Sequence, residues 1–170
     1  MTTFVALLRA VNVGGTGKLT MSDLKRLCEE AGFEKVRTYI ASGNVIFKAA
    51  KTERAVTAAL ERALLDHVGK PIGIVVRTDK ELAGALSANP FPKAEKKFTV
   101  AIFLDAKPAK TVLKNLKGQN DEEVALGDRE IYVHYPSGQG RSKLKIKGAE
   151  GGTARNMNTI AKLVEMAKES

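Results

Sequence analysis

Aromatic side chains are scarce in this chain, with no tryptophan, three tyrosines and six phenylalanines among 170 residues. Few flat surfaces are therefore on offer for stacking bases. A single cysteine excludes an internal disulfide. Cys28 falls in helical register with Leu24, Leu27 and Ala31, which marks it as a core residue and not a nucleophile. The two histidines, His67 and His134, have no Cys, His or Asp partner at metal-ligand spacing, so no metal is expected. No apolar run approaches the length of a membrane span, and the N-terminus lacks a basic start followed by a small-residue cleavage site. A cytoplasmic protein is the expectation. Carboxylates are the minority charge: 28 Lys and Arg face 19 Asp and Glu, for a net charge of +9.

That excess is uneven. Residues 88–118 carry +5 and residues 137–170 carry +4, whereas residues 119–136 carry −4. A basic balance of this kind suits an anionic partner, or simply a lysine-rich solvated surface. At this length the chain fits one medium domain or two small packed subdomains.

The stretch Leu8-Arg9-Ala10-Val11-Asn12-Val13-Gly14-Gly15-Thr16-Gly17-Lys18 organises the rest. An apolar strand runs from Thr3 to Val11 and meets a glycine-rich basic loop. A helix follows, with Thr20 and Ser22 as N-cap candidates and Gly32-Phe33 as its stop. Strand, glycine loop and helix start place backbone N–H groups where they can face an anion. Two strands come next, Val36–Ala41 and Val45–Lys48, joined at Ser42-Gly43-Asn44. A second helix spans 52–68, and a fourth strand 72–77. The order βαββαβ is the split-βαβ, ferredoxin-like arrangement. Right-handed crossovers then make the first two strands parallel, so the glycine loop and the Ser42–Asn44 turn share one end of the sheet.

Thr78-Asp79-Lys80-Glu81 reads as a capping box opening a third helix. A second unit is expected beyond it: a strand at 99–104, a helix from about Pro108 to Leu116, a hairpin across Gly127-Asp128, and a terminal helix from about Arg155. Lys143-Leu144-Lys145-Ile146-Lys147 alternates like a half-buried strand, although a helical turn also fits. The expected fold class is therefore α+β. Residues 1–78 form a ferredoxin-like N-terminal subdomain, packed with a smaller α+β subdomain at 79–170 that ends in the C-terminal helix.

Nucleotide signatures fail on inspection. Gly17-Lys18 is followed by Leu19 where a P-loop needs Ser or Thr, and Gly14-Gly15-Thr16-Gly17 does not complete a dinucleotide fingerprint. Ser42 and Ser142 carry no motif of a catalytic triad. Three polar clusters stand out instead: Arg9 with Asn12, Ser42-Gly43-Asn44, and Arg155-Asn156-Met157-Asn158-Thr159. Arg9, read inside an apolar strand, needs either an acidic partner or a solvated cleft. Arg155 at a helix N-terminus opposes the dipole preference for an acid, which makes sense if an anion binds there. Capping alone also accounts for Asn156 or Asn158.

Leu8-Arg9-Ala10-Val11-Asn12-Val13-Gly14-Gly15, Val36 through Phe47 with Ser42-Gly43-Asn44 at their centre, Ser142-Lys143-Leu144 and Thr153-Ala154-Arg155-Asn156 together resemble the signatures of a bacterial family, DUF1697, a domain of unknown function. The resemblance runs along essentially the whole chain. It implies an α+β fold with a ferredoxin-like N-terminal part, and no activity or cofactor.

The expected site is a cleft for a small anionic or phosphorylated ligand. It is formed by Arg9, Asn12, Gly14, Gly15, Lys18, Ser42, Gly43, Asn44, Lys143, Arg155, Asn156 and Asn158. No general base is assigned, and hence no reaction. One rival is a nucleic-acid-binding module presenting Phe4 and Phe47 from the sheet, against which stands the absence of an RNA-recognition consensus. The other is an interaction domain whose polar motifs are purely structural.

Overall fold

The computed structural model describes residues 1–9, 19–39 and 43–169. It is a mixed α+β structure with antiparallel sheets and a C-terminal helix, and it divides into two compact units. One contains Met1–Leu82 with Leu163–Ser170, the other Ala83–Lys162.

The first unit starts with β1 (Thr2–Leu8), whose residues from Thr3 to Leu8 are all buried. Such a strand must be central, and its neighbours are β3 (Asn44–Ala49) on one side and β4 (Ile74–Thr78) on the other, both antiparallel. With β2 (Glu34–Tyr39) at the outer edge the order is β2-β3-β1-β4. β2 enters irregularly: Lys35 sits at φ 51, and the register shifts between Glu34 and Arg37.

Helix α1 (Met21–Glu30) opens on a capping box. The Thr20 hydroxyl accepts from the Asp23 N–H at 3.0 Å, while the Asp23 carboxylate accepts from the Thr20 N–H at 3.1 Å. It closes at Gly32, whose φ of +89 is left-handed, with the Phe33 N–H reaching back to Cys28 O. Helix α2 (Glu53–Val68) is capped by Thr52 and stopped by left-handed Gly69. Both helices lay their apolar faces on the sheet, where Leu24, Cys28, Val56, Leu60 and Leu64 meet Phe4, Ala6, Leu8, Val45 and Phe47. Burial pushes the Cys28 thiol up to about 12, so it is a core residue with no nucleophilic character at neutral pH.

The chain crosses into the second unit within α3 (Asp79–Ser87), which the predicted Thr78/Glu81 capping box opens. The second sheet joins β5 (Thr99–Phe103), β7 (Glu123–Leu126), β8 (Glu130–His134) and β10 (Thr153–Asn156), in the order β10-β5-β8-β7. A separate two-stranded ribbon pairs β6 (Leu116–Lys117) with β9 (Lys145–Ile146). The final helix is α4 (Met157–Lys168).

Three expectations need correction. The first strand stops at Leu8, short of Val11, and Arg9 is exposed just past its end. The helix expected from Pro108 to Leu116 is only a 3₁₀ turn at Lys110–Lys114. Val112 is its sole buried residue, and Leu116 is drawn off to pair with Ile146. Arg155 and Asn156 are not in the terminal helix but in β10, opposite Ala101 and Val100 of β5. Ladder hydrogen bonds to a central strand outweigh the helical periodicity that begins downstream of them.

Candidate functional site

β1 and β2 are each antiparallel to β3, and are therefore parallel to one another. Their C-terminal ends lie at the same end of the first sheet, where β3 and β4 begin. Backbone bonds tie the strand ends together. Leu8 N–H donates to Gly43 O at 2.9 Å, and Arg9 N–H donates to Gly73 O at 2.8 Å. The aliphatic part of the Arg9 side chain lies over Gly73, where an added Cβ would sit 3.5 Å from Arg9 Cβ and 3.6 Å from its Cδ. Arg9 is exposed, and among the described residues no carboxylate forms an ion pair with it. The acidic partner considered for a strand-borne arginine is thus not needed, because the guanidinium stands in solvent.

Asn44 is fully buried, and its side-chain amide donates to Tyr39 O at 3.0 Å. It braces the turn between β2 and β3 from inside, while Gly43, at φ 81, supplies the left-handed position. Arg9, Gly43 and Asn44 are therefore gathered at one sheet end. Asn12, Gly14, Gly15, Lys18 and Ser42 lie outside the described residues. Gly73 was missed in the sequence, although a glycine between Pro71 and an apolar strand marks a place of close backbone approach.

The remaining predicted residues belong to the second unit. In β10, Arg155 Nη1 donates to Ala154 O at 2.8 Å. Burial lowers its guanidinium to about 10, which leaves it cationic at neutral pH. Asn156 caps α4, its side-chain oxygen accepting from Thr159 N–H at 2.9 Å. Asn158 is exposed in the first turn of that helix. Lys143 is exposed as well, next to Ser142, whose hydroxyl donates to Glu122 and accepts from Leu144 N–H. The Ser142 hydroxyl, then the Asn120 N–H, hold the Glu122 carboxyl below its ordinary range.

The aromatic platform of the nucleic-acid rival is absent from the sheet surface. Phe4 and Phe47 are 2% and 0% exposed, and Phe47 stacks on Phe33 with ring centroids 4.3 Å apart. Both rings point to the side that α1 and α2 cover. The histidines have local roles too: His67 Nε2 lies 3.4 Å from Asp23, and His134 Nδ1 lies 3.4 Å from Glu123.

A family model described as a protein of unknown function, DUF1697, matches residues 1–132. The chain belongs to that family. Within DUF1697 the matched part takes in Arg9 and the Ser42–Asn44 turn, and stops short of Lys143, Arg155, Asn156 and Asn158. No curated protein matches. Among solved structures the chain is similar to the conserved bacterial protein SP0830 from Streptococcus pneumoniae. That similarity covers 98% of each chain, with a TM-score of 0.80 and 24% identity, and concerns the fold alone. Among the described residues no helix is long and apolar enough to cross a membrane.

Proposed function

We propose that this DUF1697 protein binds a small anionic or phosphorylated ligand at the β1/β2 end of the first sheet. In this reading the first unit is a ferredoxin-like split-βαβ scaffold, a description supported by its β2-β3-β1-β4 antiparallel order. The observation that carries the site is Arg9. It is an exposed cation seated over a glycine at the sheet end, with no carboxylate ion pair among the described residues. An arginine placed in this way offers a planar fork to a carboxylate or phosphate. The glycine-rich segment that continues directly from Arg9 supplies Lys18 and backbone N–H groups as further donors. Gly43 and Asn44 serve as the frame beside it. Arg155 and Asn156 have local tasks in the second unit, where Asn158 is merely exposed, so the reading rests on the first unit.

A thermal-shift screen of nucleotides, sugar phosphates and inorganic phosphate against the full chain and Arg9→Ala tests this. A ligand at a hundred times its Kd stabilises by about 2.7 kcal/mol, which moves the midpoint by a few degrees. A shift with one compound class that disappears in Arg9→Ala is the expected result. A flat response from every class, or a shift that survives in the variant, overturns the reading.

A further inference from the structure

The second unit gathers lysines from distant parts of the sequence onto one small ribbon. Where β6 meets β9, Lys117 stands directly opposite Lys145, and Leu116 opposite Ile146. Like charges facing each other across an antiparallel pair are destabilising, so folding alone gives no reason for the pairing. Lys143, Lys145 and Lys147 are exposed and alternate with half-buried Leu144 and Ile146, which pack on the second unit's core. The period-two rule thus turns the ammonium groups outward. Among the described residues none of Lys117, Lys143, Lys145 and Lys147 takes part in an ion pair. The nearest acid in the sequence, Glu150, accepts from the Gly148 N–H at 2.7 Å.

The shape around the ribbon is open. Two shallow clefts of about 530 and 570 Å³ share Asn115 and Lys147; one adds Lys107 and Asp105, the other Lys117, Lys145 and Glu150. No aromatic side chain lines either cleft, so there is no platform on which an unpaired base could stack. Leu144 and Ile146 pack on the core and Leu116 is half-buried, which leaves the ribbon little apolar surface to insert into a bilayer. Lysines present compact point charges instead of a planar fork, which suits phosphate contacts that carry no sequence information. These features together suit a regular, rigid array of phosphates.

We propose that the β6–β9 ribbon docks the phosphate backbone of double-stranded nucleic acid, without sequence preference. The test is fluorescence anisotropy of the full chain with a labelled random-sequence DNA duplex, titrated between roughly 50 and 200 mM salt. With four lysines engaged, the log–log salt slope should be about −3 to −4. The quadruple variant K117Q/K143Q/K145Q/K147Q should lose at least tenfold in affinity at the low-salt end and show a nearly flat slope. Its Lys→Arg counterpart should keep both, and circular dichroism should show all variants folded. K25Q/K51Q/K70Q/K80Q removes the same charge from exposed positions of the first unit, and should stay within about twofold of the parent. An equal loss in that control set would mean that net charge alone attracts the duplex, and the proposal falls. It falls equally if the parent does not bind the duplex, or if vesicles of phosphatidylserine and phosphatidylcholine compete the duplex off through the same four lysines.

Discussion

The first sheet is sealed on both faces along its inner strands, whereas the second unit pairs a buried centre with a half-buried edge strand, a two-residue ribbon and polar ties. In the first unit Phe4, Ala6, Leu8, Val45 and Phe47 pack under α1 and α2. On the reverse face Val5, Leu7, Ile46 and Val75 are buried as well. In the second unit Val100, Ile131 and Val133 cluster on one face of β5 and β8, Ala101, Phe103 and Tyr132 are buried on the other, and β7 at the edge is only half-buried. Hydroxyl–carboxylate bonds reinforce its loops, Ser137 to Asp121 and Ser142 to Glu122. Apolar burial is the stronger and less specific force, while polar ties fix loop geometry at little net gain. The first unit is thus a platform, and the second carries more of the net positive charge.

A core truncation gives that contrast its largest expected effect. Phe47→Ala removes a ring that is fully buried and stacked on Phe33. It should cost about 3–5 kcal/mol. Val133→Ala, in the second unit's smaller cluster, deletes less volume and should cost less. Chemical denaturation of the full chain measures both. Equal costs would break the distinction between the stacked aromatic core of the first unit and the aliphatic cluster of the second.

Legibility in the sequence followed the same division. Caps are local signals, because side chain and amide lie three residues apart: Thr78 is legible directly and Thr20 as one of two candidates, whereas Thr52, read as the first residue of its helix, is in fact the cap. That the end of the first strand and the Ser42–Asn44 turn share one end of the sheet was deducible from the βαββαβ order and its crossovers. The face of a strand that is apolar throughout was not, which is why Phe4 and Phe47 could be mistaken for surface rings. The β9 strand was legible in the alternation of Lys143–Lys147, but its pairing with β6 stayed hidden for another reason. The two strands are two residues each, and Lys117 and Lys145 meet only through long-range pairing. Asn44 shows the limit at the candidate site itself, since a polar residue in a turn motif turned out to be buried and to brace the turn from within.

Two left-handed glycines sharpen the comparison at intermediate size. At Gly32, φ is +89 and an added Cβ meets nothing within 4 Å. Gly32→Ala should therefore cost only the backbone penalty, about 1 kcal/mol. At Gly118, φ is +70, and the Cβ would drive into the Lys143 carbonyl, with its carbon 2.9 Å away. Backbone cannot swing aside as a flexible side chain does, so Gly118→Ala should cost clearly more than Gly32→Ala. The second unit would then be the less tolerant at this point. Denaturation midpoints of the two variants decide it, and a Gly118→Ala cost no larger than that of Gly32→Ala would show that the Lys143 segment yields.

The smallest effect separates the polar ties of the two units by pH. Asp23 and Glu122 are both held below their ordinary values of 3.8 and 4.5. Each is therefore protonated more readily in the unfolded chain, so its stabilisation is complete above its ordinary value and lost as pH falls through the lowered one. The causes differ. Glu122 depends first on the Ser142 hydroxyl, whereas Asp23 depends first on the Thr20 backbone N–H, which no side-chain substitution removes. Ser142→Ala should consequently make the thermal midpoint fall less steeply over roughly pH 5 to 3, because the lowered carboxyl reverts toward normal. Thr20→Ala loses a helix cap worth about 1 kcal/mol. Its Asp23 carboxylate keeps the amide bond, so the acid limb should shift down nearly parallel to the parent. Midpoint-against-pH curves for the parent and both variants read this directly, and a parallel shift in Ser142→Ala would mean that the Asn120 amide, not the hydroxyl, holds Glu122.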